Sequence, residues 1–131
     1  MDSPAVLAQV GQYNSAHAGG RFALGKGYAY VATHAADVLV LDVSTPSNPY
    51  LGTTYETGNA AWDVALSGDI LCVAAGTNGL ELVDVSIPFL PARAGRYHRA
   101  GISSKCVAVA ASRCYLGSTD GDSRTLEMVN I

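Results

Sequence analysis

The chain has 131 residues, of which 49% are hydrophobic and only 15% are charged, and its formal net charge is −3. This composition favours a folded domain over a disordered chain. The small net charge disfavours nucleic acid and anionic membranes as partners, and no apolar run approaches the roughly 18 residues that predict insertion into a membrane. The three cysteines exclude a dense disulfide framework and match no metal-ligand spacing.

A long repeat organises the chain. The segment YAYVATHAADVLVLDVSTPSNP from Tyr28 aligns without a gap to ILCVAAGTNGLELVDVSIPFLP from Ile70, forty-two residues later. A weaker third copy, CYLGSTDGDSRTLEMVNI, begins at Cys114 and carries a short insertion around Asp122 to Arg124. A fixed period of this length outweighs any interpretation of single segments. We therefore expect one domain over 1–131, with repeats at about 14–55, 56–97 and 98–131, and with 1–13 as a complementary outer strand.

The predicted strands follow one order in every copy. Residues 1–13 end in VGQY, which resembles the LGTTY and AGRY of the fourth strands downstream. Copy one then contains RFAL, YAYVA, VLVLDV and LGTTY, and copies two and three repeat this series, the last without its fourth strand. Each segment is short, rich in β-branched or aromatic residues and bounded by turn residues. The chain therefore reads as strands throughout.

Turn residues separate these strands. GKG and SGD join the first two strands of copies one and two and supply glycine where positive φ is needed, whereas AASR in copy three is expected to turn less tightly. After the third strand, Asp42 and Asp84 are expected to accept backbone N–H bonds from the following turn, and the prolines end the strand.

The strands predict sheets that are covered on both faces. VLVLDV and ILCVAA are apolar at consecutive positions, so apolar and polar residues do not alternate along these strands, and we expect neither face to be exposed to water. Four antiparallel strands in a repeat of about 40 residues are typical of a propeller blade. The sequence thus predicts an all-β protein, a β-propeller built of four-stranded antiparallel blades, with three blades per chain.

The strand and turn motifs also resemble a known family. LVLDVSTPSNP and LELVDVSIPFLP are similar to the LVIVD-repeat β-propeller family, in which such a strand is followed by Asp-Val-Ser-x-Pro-x-x-Pro. Copy three departs from this pattern, with Asn130 in place of the Asp. The resemblance implies a propeller of the extracellular or cell-envelope kind, and it implies no shared catalytic residue.

Ring closure is the main question that the repeat raises. Propellers typically have four to eight blades, and an open fan of three leaves two apolar sheet faces exposed. We expect the N-terminal strand of one chain to complete the last blade of another, so that a homodimer forms a six-bladed ring. A nine-bladed trimer, an open filament and a fragment of a longer propeller are the alternatives.

Four residues are candidates for a ligand site at the mouth of the central channel. Arg21 and Asp63 occupy equivalent repeat positions at the start of the innermost strand, where a packing role would not require such different side chains. Trp62 and Lys105 share the preceding position, and Trp62 is the only tryptophan. They suit a small polar or glycan ligand; the alternative is that Arg21 and Asp63 simply pair.

A tyrosine recurs once per copy, at positions 13, 55 and 97. We expect these tyrosines either to stack on sugar rings or to be packing residues whose hydroxyl bonds to a backbone partner.

The remaining polar groups give weaker evidence for a functional site. STDGDSR has too few acidic positions for a full calcium loop and is expected to be a solvated turn. The histidines are expected in surface loops and Cys72 in the core. The sequence shows no nucleophile–base pair and no phosphate loop, so we expect no catalytic residue, no metal and no cofactor. The predicted function is a non-enzymatic binding and self-assembly module; the alternative is a lectin-like or hydrolytic propeller acting through the channel mouth.

Overall fold

The computed structural model describes residues 8–15 and 20–131, and these form an all-β protein. Residues 1–7 of the predicted outer strand, and His17, lie outside the described residues. The strands are β1 (Phe22–Gly25), β2 (Tyr28–Ala32), β3 (Asp37–Asp42), β4 (Tyr50–Glu56), β5 (Asp63–Ser67), β6 (Ile70–Ala74), β7 (Leu80–Asp84), β8 (Ala92–Tyr97), β9 (Ser103–Ala110), β10 (Arg113–Thr119) and β11 (Arg124–Asn130).

The strands form three antiparallel sheets, one for each copy of the repeat. Sheet 1 has the order β1-β2-β3-β4, sheet 2 the order β5-β6-β7-β8 and sheet 3 the order β9-β10-β11. The all-β prediction is confirmed, and the sheets have the strand order of blades. They do not close into a ring within the described chain. No helix among the described residues is long and apolar enough to cross a membrane.

Strand register gives each sheet two distinct apolar faces. In sheet 1, Ala29 pairs with Leu41, while Tyr30 pairs with Val40 on the other side. Successive side chains of a strand point to opposite faces, so we name the face of Ala29 and Leu41 the front face and the face of Tyr30 and Val40 the rear face. The repeat alignment defines the front and rear faces of sheets 2 and 3 in the same way.

The core lies in two junctions between sheets. Junction 1 packs the rear of sheet 1, with Tyr30 and Val38, against the front of sheet 2, with Leu71 and Val83. Junction 2 packs the rear of sheet 2 against the front of sheet 3, through Cys72, Ala74 and Leu80 on one side and Val107, Cys114 and Leu116 on the other. Both faces of sheet 2 are therefore covered, which explains why its strands lack polar alternation.

The hairpin in sheet 3 corrects one expectation. Strands β9 and β10 are separated only by Ala111 and Ser112, so AASR turns as tightly as GKG and SGD. Ala111 adopts a φ of 55°, close to the 53° of Lys26 and the 58° of Gly68 in the equivalent turns. Register with the neighbouring strand fixes this turn type, and the alanine is held in the left-handed region that favours glycine.

The repeated Asp-Val-Ser motif ends the third strand as predicted. The Ser44 N–H donates to Asp42 Oδ1 at 2.9 Å, and the Ser86 N–H donates to Asp84 Oδ1 at 2.8 Å. Bonds from the side chain and backbone of Ser44 lower the pKa of Asp42, and bonds from the backbone and side chain of Ser86 lower the pKa of Asp84. The prediction for both aspartates is confirmed.

Candidate functional site

Side chains from all three sheets meet where the innermost strands begin, at the end that we call the mouth. The ammonium of Lys105 lies 3.8 Å from the centroid of the Trp62 ring. The His34 ring, from the loop between β2 and β3, lies 4.9 Å from the same indole at an interplanar angle of 40°. We call His34, Trp62 and Lys105 the mouth cluster. The structure thus brings together two of the four predicted site residues and adds a histidine.

The mouth cluster consists of departures from the repeat. Gly20, Trp62 and Lys105 occupy one repeat position, and His34 stands where copy two has Gly76. His34 has a φ of 64°, which is nearly the 59° of that glycine. A side chain at Gly20 would collide with the imidazole of His34, so the glycine leaves the space that the histidine fills. At the mouth, internal symmetry therefore breaks in mutually dependent residues.

Asp63 points away from the mouth and into junction 2. Its side chain is buried, and its two oxygens accept bonds from the Val64 N–H at 2.9 Å and from the Val107 N–H at 3.0 Å. The carboxylate therefore joins sheets 2 and 3. The alternative in which it pairs with Arg21 does not match these contacts.

Arg21 lies apart from the mouth cluster in the described contacts. Its side chain is exposed, and its carbonyl accepts the Ala32 N–H at 2.8 Å, extending the ladder between the first two strands. Trp62 is held similarly, since its backbone N–H donates to the backbone carbonyl of Ala74 at 2.8 Å. Backbone pairing therefore positions both residues, and of the two only Trp62 contributes its side chain to the mouth cluster.

A tyrosine–glutamate bond crosses each junction. The Tyr55 hydroxyl donates to Glu81 Oε1 at 2.9 Å, and the Tyr97 hydroxyl donates to Glu127 Oε2 at 3.0 Å. Tyr55 and Tyr97 are therefore packing residues, as one of the two interpretations of the sequence predicted. Their partners, however, are carboxylates of the next sheet rather than backbone groups. The front of sheet 1 carries Leu39 at this repeat position.

These bonds shift the pKa values of both tyrosines and of Glu127. Burial, together with the bond to Glu81, raises the pKa of Tyr55 to about 12. The bond to Glu127 raises the pKa of Tyr97. Although partial burial opposes it, bonds from Arg99 and Tyr97 lower the pKa of Glu127. Sequence reasoning missed Glu81; the available signal was an acidic residue inside the apolar run LELV.

Residues 8–15 form no strand in the single chain, and Gly11 and Tyr13 are the residues of this segment that contact sheet 1 and its β3–β4 loop. Tyr13 packs against Ala29, Leu39 and Leu41. Gly11 lies against Pro46 and Ser47, just as Gly52 of β4 lies against Phe89, the counterpart of Ser47 in sheet 2. Residues 11–13 thus take the position that a fourth strand takes on the next sheet at junction 1.

Large apolar side chains are exposed on the two outermost faces. On the front of sheet 1, Phe22 is 61% and Leu24 is 62% exposed. On the rear of sheet 3, Leu126 is 65% and Met128 is 61% exposed, and they pair in register with Gly117 and Tyr115. The corresponding residues of sheet 2, Leu80 and Leu82, belong to the cluster at junction 2.

The inserted loop of copy three lines a groove on the rear of sheet 3. Its volume is about 480 Å³, and its lining includes Lys105, Cys106, Ser118, Asp122 and Arg124. The carboxylate of Asp120 accepts the N–H groups of Asp122 and Ser123, so it caps its own turn. No group of metal-ligating side chains occurs among the described residues.

The cysteines are thiols in the described structure. Cys72 is fully buried in junction 2, as predicted for a core residue. A hydrogen bond with Cys114, together with burial, raises the pKa of the Cys72 thiol. Cys106 is exposed on the rear face and pairs in register with Gly117, so Cys106 and Cys114 point to opposite faces of sheet 3.

Comparison with known proteins connects the repeat to a family. The LVIVD repeat matches residues 21–57 and 58–98. The fold is similar to the crystal structure of the computationally designed Ika4 protein, with a TM-score of 0.71, 12% sequence identity and coverage of 97% of this chain and 74% of that chain. At this identity the similarity concerns the fold alone. A search of curated proteins finds no match to the sequence.

Proposed function

Because the chain belongs to the LVIVD-repeat family, whose repeats are associated with β-propeller folds, we propose that it is a non-enzymatic binding and assembly module of which two copies close one six-bladed ring. The observation that carries this proposal is the position of residues 11–13 on the front of sheet 1. They lie where the outer strand of a preceding blade belongs. A second copy would supply the rest of that blade as its sheet 3.

The register of the proposed contact follows from sheet 2. There Leu80 pairs with Tyr97 and Asp84 with Ala92. Since the run from Ala8 to Tyr13 aligns without a gap to β8, β11 of a second copy would pair with it antiparallel. Leu126 would lie opposite Tyr13, Met128 opposite Gly11 and Asn130 opposite Ala8.

The exposed side chains support the same pairing of surfaces. Leu126 and Met128 on the rear of sheet 3 would meet the front of sheet 1, with Phe22 and Leu24, in the way that the rear of sheet 2 meets the front of sheet 3. Two such contacts per ring, each with an added strand, resemble the obligate interfaces that bury about 2,000 Å² or more. Covering these faces also removes apolar surface of the kind that a monomer seldom exposes.

The mass of the particle tests the ring directly. Light scattering of the 131-residue chain at micromolar concentration is expected to give twice 13.5 kDa. The double variant Leu126→Asp, Met128→Asp is expected to give a monomer, because two carboxylates cannot be buried unpaired. The matched control Ile87→Asp, Leu90→Asp changes equally exposed residues of the β7–β8 loop and leaves the mass unchanged. A monomer, a trimer or a filament for the unmodified chain overturns the two-copy ring.

A disulfide trap tests the register. In a Cys106→Ser background, Ala8→Cys with Asn130→Cys places two thiols at directly opposed positions, and such positions are within disulfide reach. Oxidation is expected to give a covalent dimer on a non-reducing gel. The control, Val10→Cys with Asn130→Cys, lies out of register and stays uncrosslinked. A disulfide formed within one chain, seen as a faster-running monomer, would refute strand exchange.

We propose that the protein is not an enzyme, because the carboxylates of Asp63, Glu81 and Glu127 already accept hydrogen bonds from other protein groups. Asp63 accepts two backbone bonds, and Glu81 and Glu127 each accept from a tyrosine and an arginine. The competing function is a hydrolase that uses the mouth. Turnover of a chromogenic glycoside panel, abolished by Asp63→Asn in a variant that keeps its fold, contradicts the non-enzymatic function.

A further inference from the structure

The mouth cluster has the composition of a ligand site rather than of a packing contact. A repeat scaffold needs only the residues that every copy shares, and Tyr55 and Tyr97 illustrate such residues. His34, Trp62 and Lys105 are not shared between copies, yet they come from the parts of the chain that form sheets 1, 2 and 3, and both His34 and Lys105 lie against Trp62. Convergence of the non-repeating residues at one point indicates a role that the scaffold itself does not require.

The backbone of His34 supplies a second, independent observation. Its φ of 64° lies in the left-handed region, which is costly for a residue with a Cβ, and the equivalent Gly76 adopts a similar φ without this cost. Strained backbone persists where the surrounding structure holds it and is concentrated at functional sites. The contact that His34 gains is the one with Trp62.

The chemistry of the cluster selects a ligand with one ring and one negative charge. The indole offers a flat apolar surface on which a sugar or an aromatic ring stacks. Lys105 is exposed, so its ammonium can leave the indole and pair with an anion above the same surface. Asp63 does not oppose that anion, because its carboxylate is bound inside junction 2.

The charges beside Lys105 favour a carboxylate. The adjoining groove is lined by two cations, Lys105 and Arg124, and by one carboxylate, that of Asp122, so the formal charge of its lining is one positive. A carboxylate matches one charge, whereas a phosphate monoester carries nearly two at neutral pH. We propose that the mouth cluster binds a monoanionic ring carboxylate such as a uronic acid sugar, with its ring stacked on Trp62 and its carboxylate paired with Lys105.

This inference deepens the binding part of the proposed function and does not depend on ring closure, because one chain supplies the whole cluster. Trp62 is the only tryptophan, so its fluorescence reports on the site alone. Glucuronate is expected to shift the emission saturably, and glucose and acetate to bind at least tenfold more weakly. An equal response to glucose, or to acetate, overturns the proposal. Benzoate separates the two sources of the ring: comparable binding assigns an aromatic acid, and weak binding assigns a sugar.

Variants complete the test. Lys105→Met is expected to weaken glucuronate binding tenfold or more, whereas Lys26→Met, at the opposite end of the sheets, leaves it unchanged. His34→Gly adopts the residue of the equivalent turn, so it keeps the fold and loses the support of the indole; a severalfold weaker affinity is expected. Unchanged affinity in both Lys105→Met and His34→Gly refutes the site. A particle-mass measurement on the same samples distinguishes this failure from failure of the ring.

Discussion

Asp63 shows how one buried carboxylate can hold two sheets together. Each of its oxygens accepts a backbone N–H, one from its own strand and one from Val107 of the next sheet. The residue stands directly after Trp62, yet the two side chains lie in different regions, since Trp62 belongs to the mouth cluster and Asp63 enters junction 2.

Asp63→Ala is expected to destabilise the protein by about 1–3 kcal/mol, since it leaves the Val107 N–H buried without an acceptor. Arg21→Ala, at the equivalent repeat position, is expected to change stability by no more than about 0.5 kcal/mol because that side chain is exposed. Urea denaturation of the two variants at one protein concentration provides the comparison. A larger loss in Arg21→Ala would show that the roles are reversed.

Tyr55 predicts a loss of stability at high pH. Its pKa in the folded state is about 12, above the ordinary value of about 10, so the folded protein keeps the phenolic proton longer than the unfolded chain. The stabilisation is fully present below pH 10 and is lost as the pH rises through 12. Urea midpoints measured at pH 9 and pH 11.5 are expected to fall less in Tyr55→Phe than in the unmodified protein. Equal falls would contradict this assignment.

At the scale of the strands and turns, the third hairpin offers a stabilising substitution. Ala111 has a φ of 55° in a turn where copy two has Gly68. Ala111→Gly is therefore expected to raise stability by about 1 kcal/mol. Ala110→Gly, one residue earlier in β9, is the control and is expected to lower stability by about 0.5–1 kcal/mol. Thermal unfolding of both variants distinguishes the turn from the strand, and stabilisation by both or by neither would count against the turn assignment.

The repeat allowed much of this fold to be predicted. Apolar residues at consecutive positions identified strands buried on both faces, and Asp-Val-Ser identified where the third strand ends. The tight AASR turn was missed because strand register overrides the preference of an alanine for negative φ. Such local exceptions become visible only when the neighbouring strands are in place.

The mouth was harder to predict than the strands. Trp62 and Lys105 stood out because they share one repeat position, but His34 carried only the signal that copy two has Gly76 there. Arg21 and Asp63 were grouped because they occupy equivalent repeat positions, and Trp62 was added because it stands beside Asp63, but neither signal determines the direction of a side chain. Glu81 and Glu127 were missed because their partners lie in the preceding sheet, far away in sequence.

For the whole molecule, proposed ring closure couples folding to concentration. Ligands and partner subunits that bind only the folded state raise its stability by mass action. The thermal midpoint is therefore expected to rise with protein concentration in the unmodified chain and to be independent of concentration in Leu126→Asp, Met128→Asp. Calorimetry over a hundredfold range of concentration measures both, and a constant midpoint for the unmodified chain would contradict the coupling.

The proposed contact between protomers is expected to respond to alkali differently from the junctions within one chain, because sheet 1 has Leu39 where sheet 2 has Glu81. Inside the chain, each contact between neighbouring sheets sets a phenol beside a carboxylate, so loss of the phenolic proton brings two anions together. Where two protomers would join, Tyr13 rests on hydrocarbon instead. Strongly basic solution would therefore separate the layers within each protomer before it separated one protomer from the other.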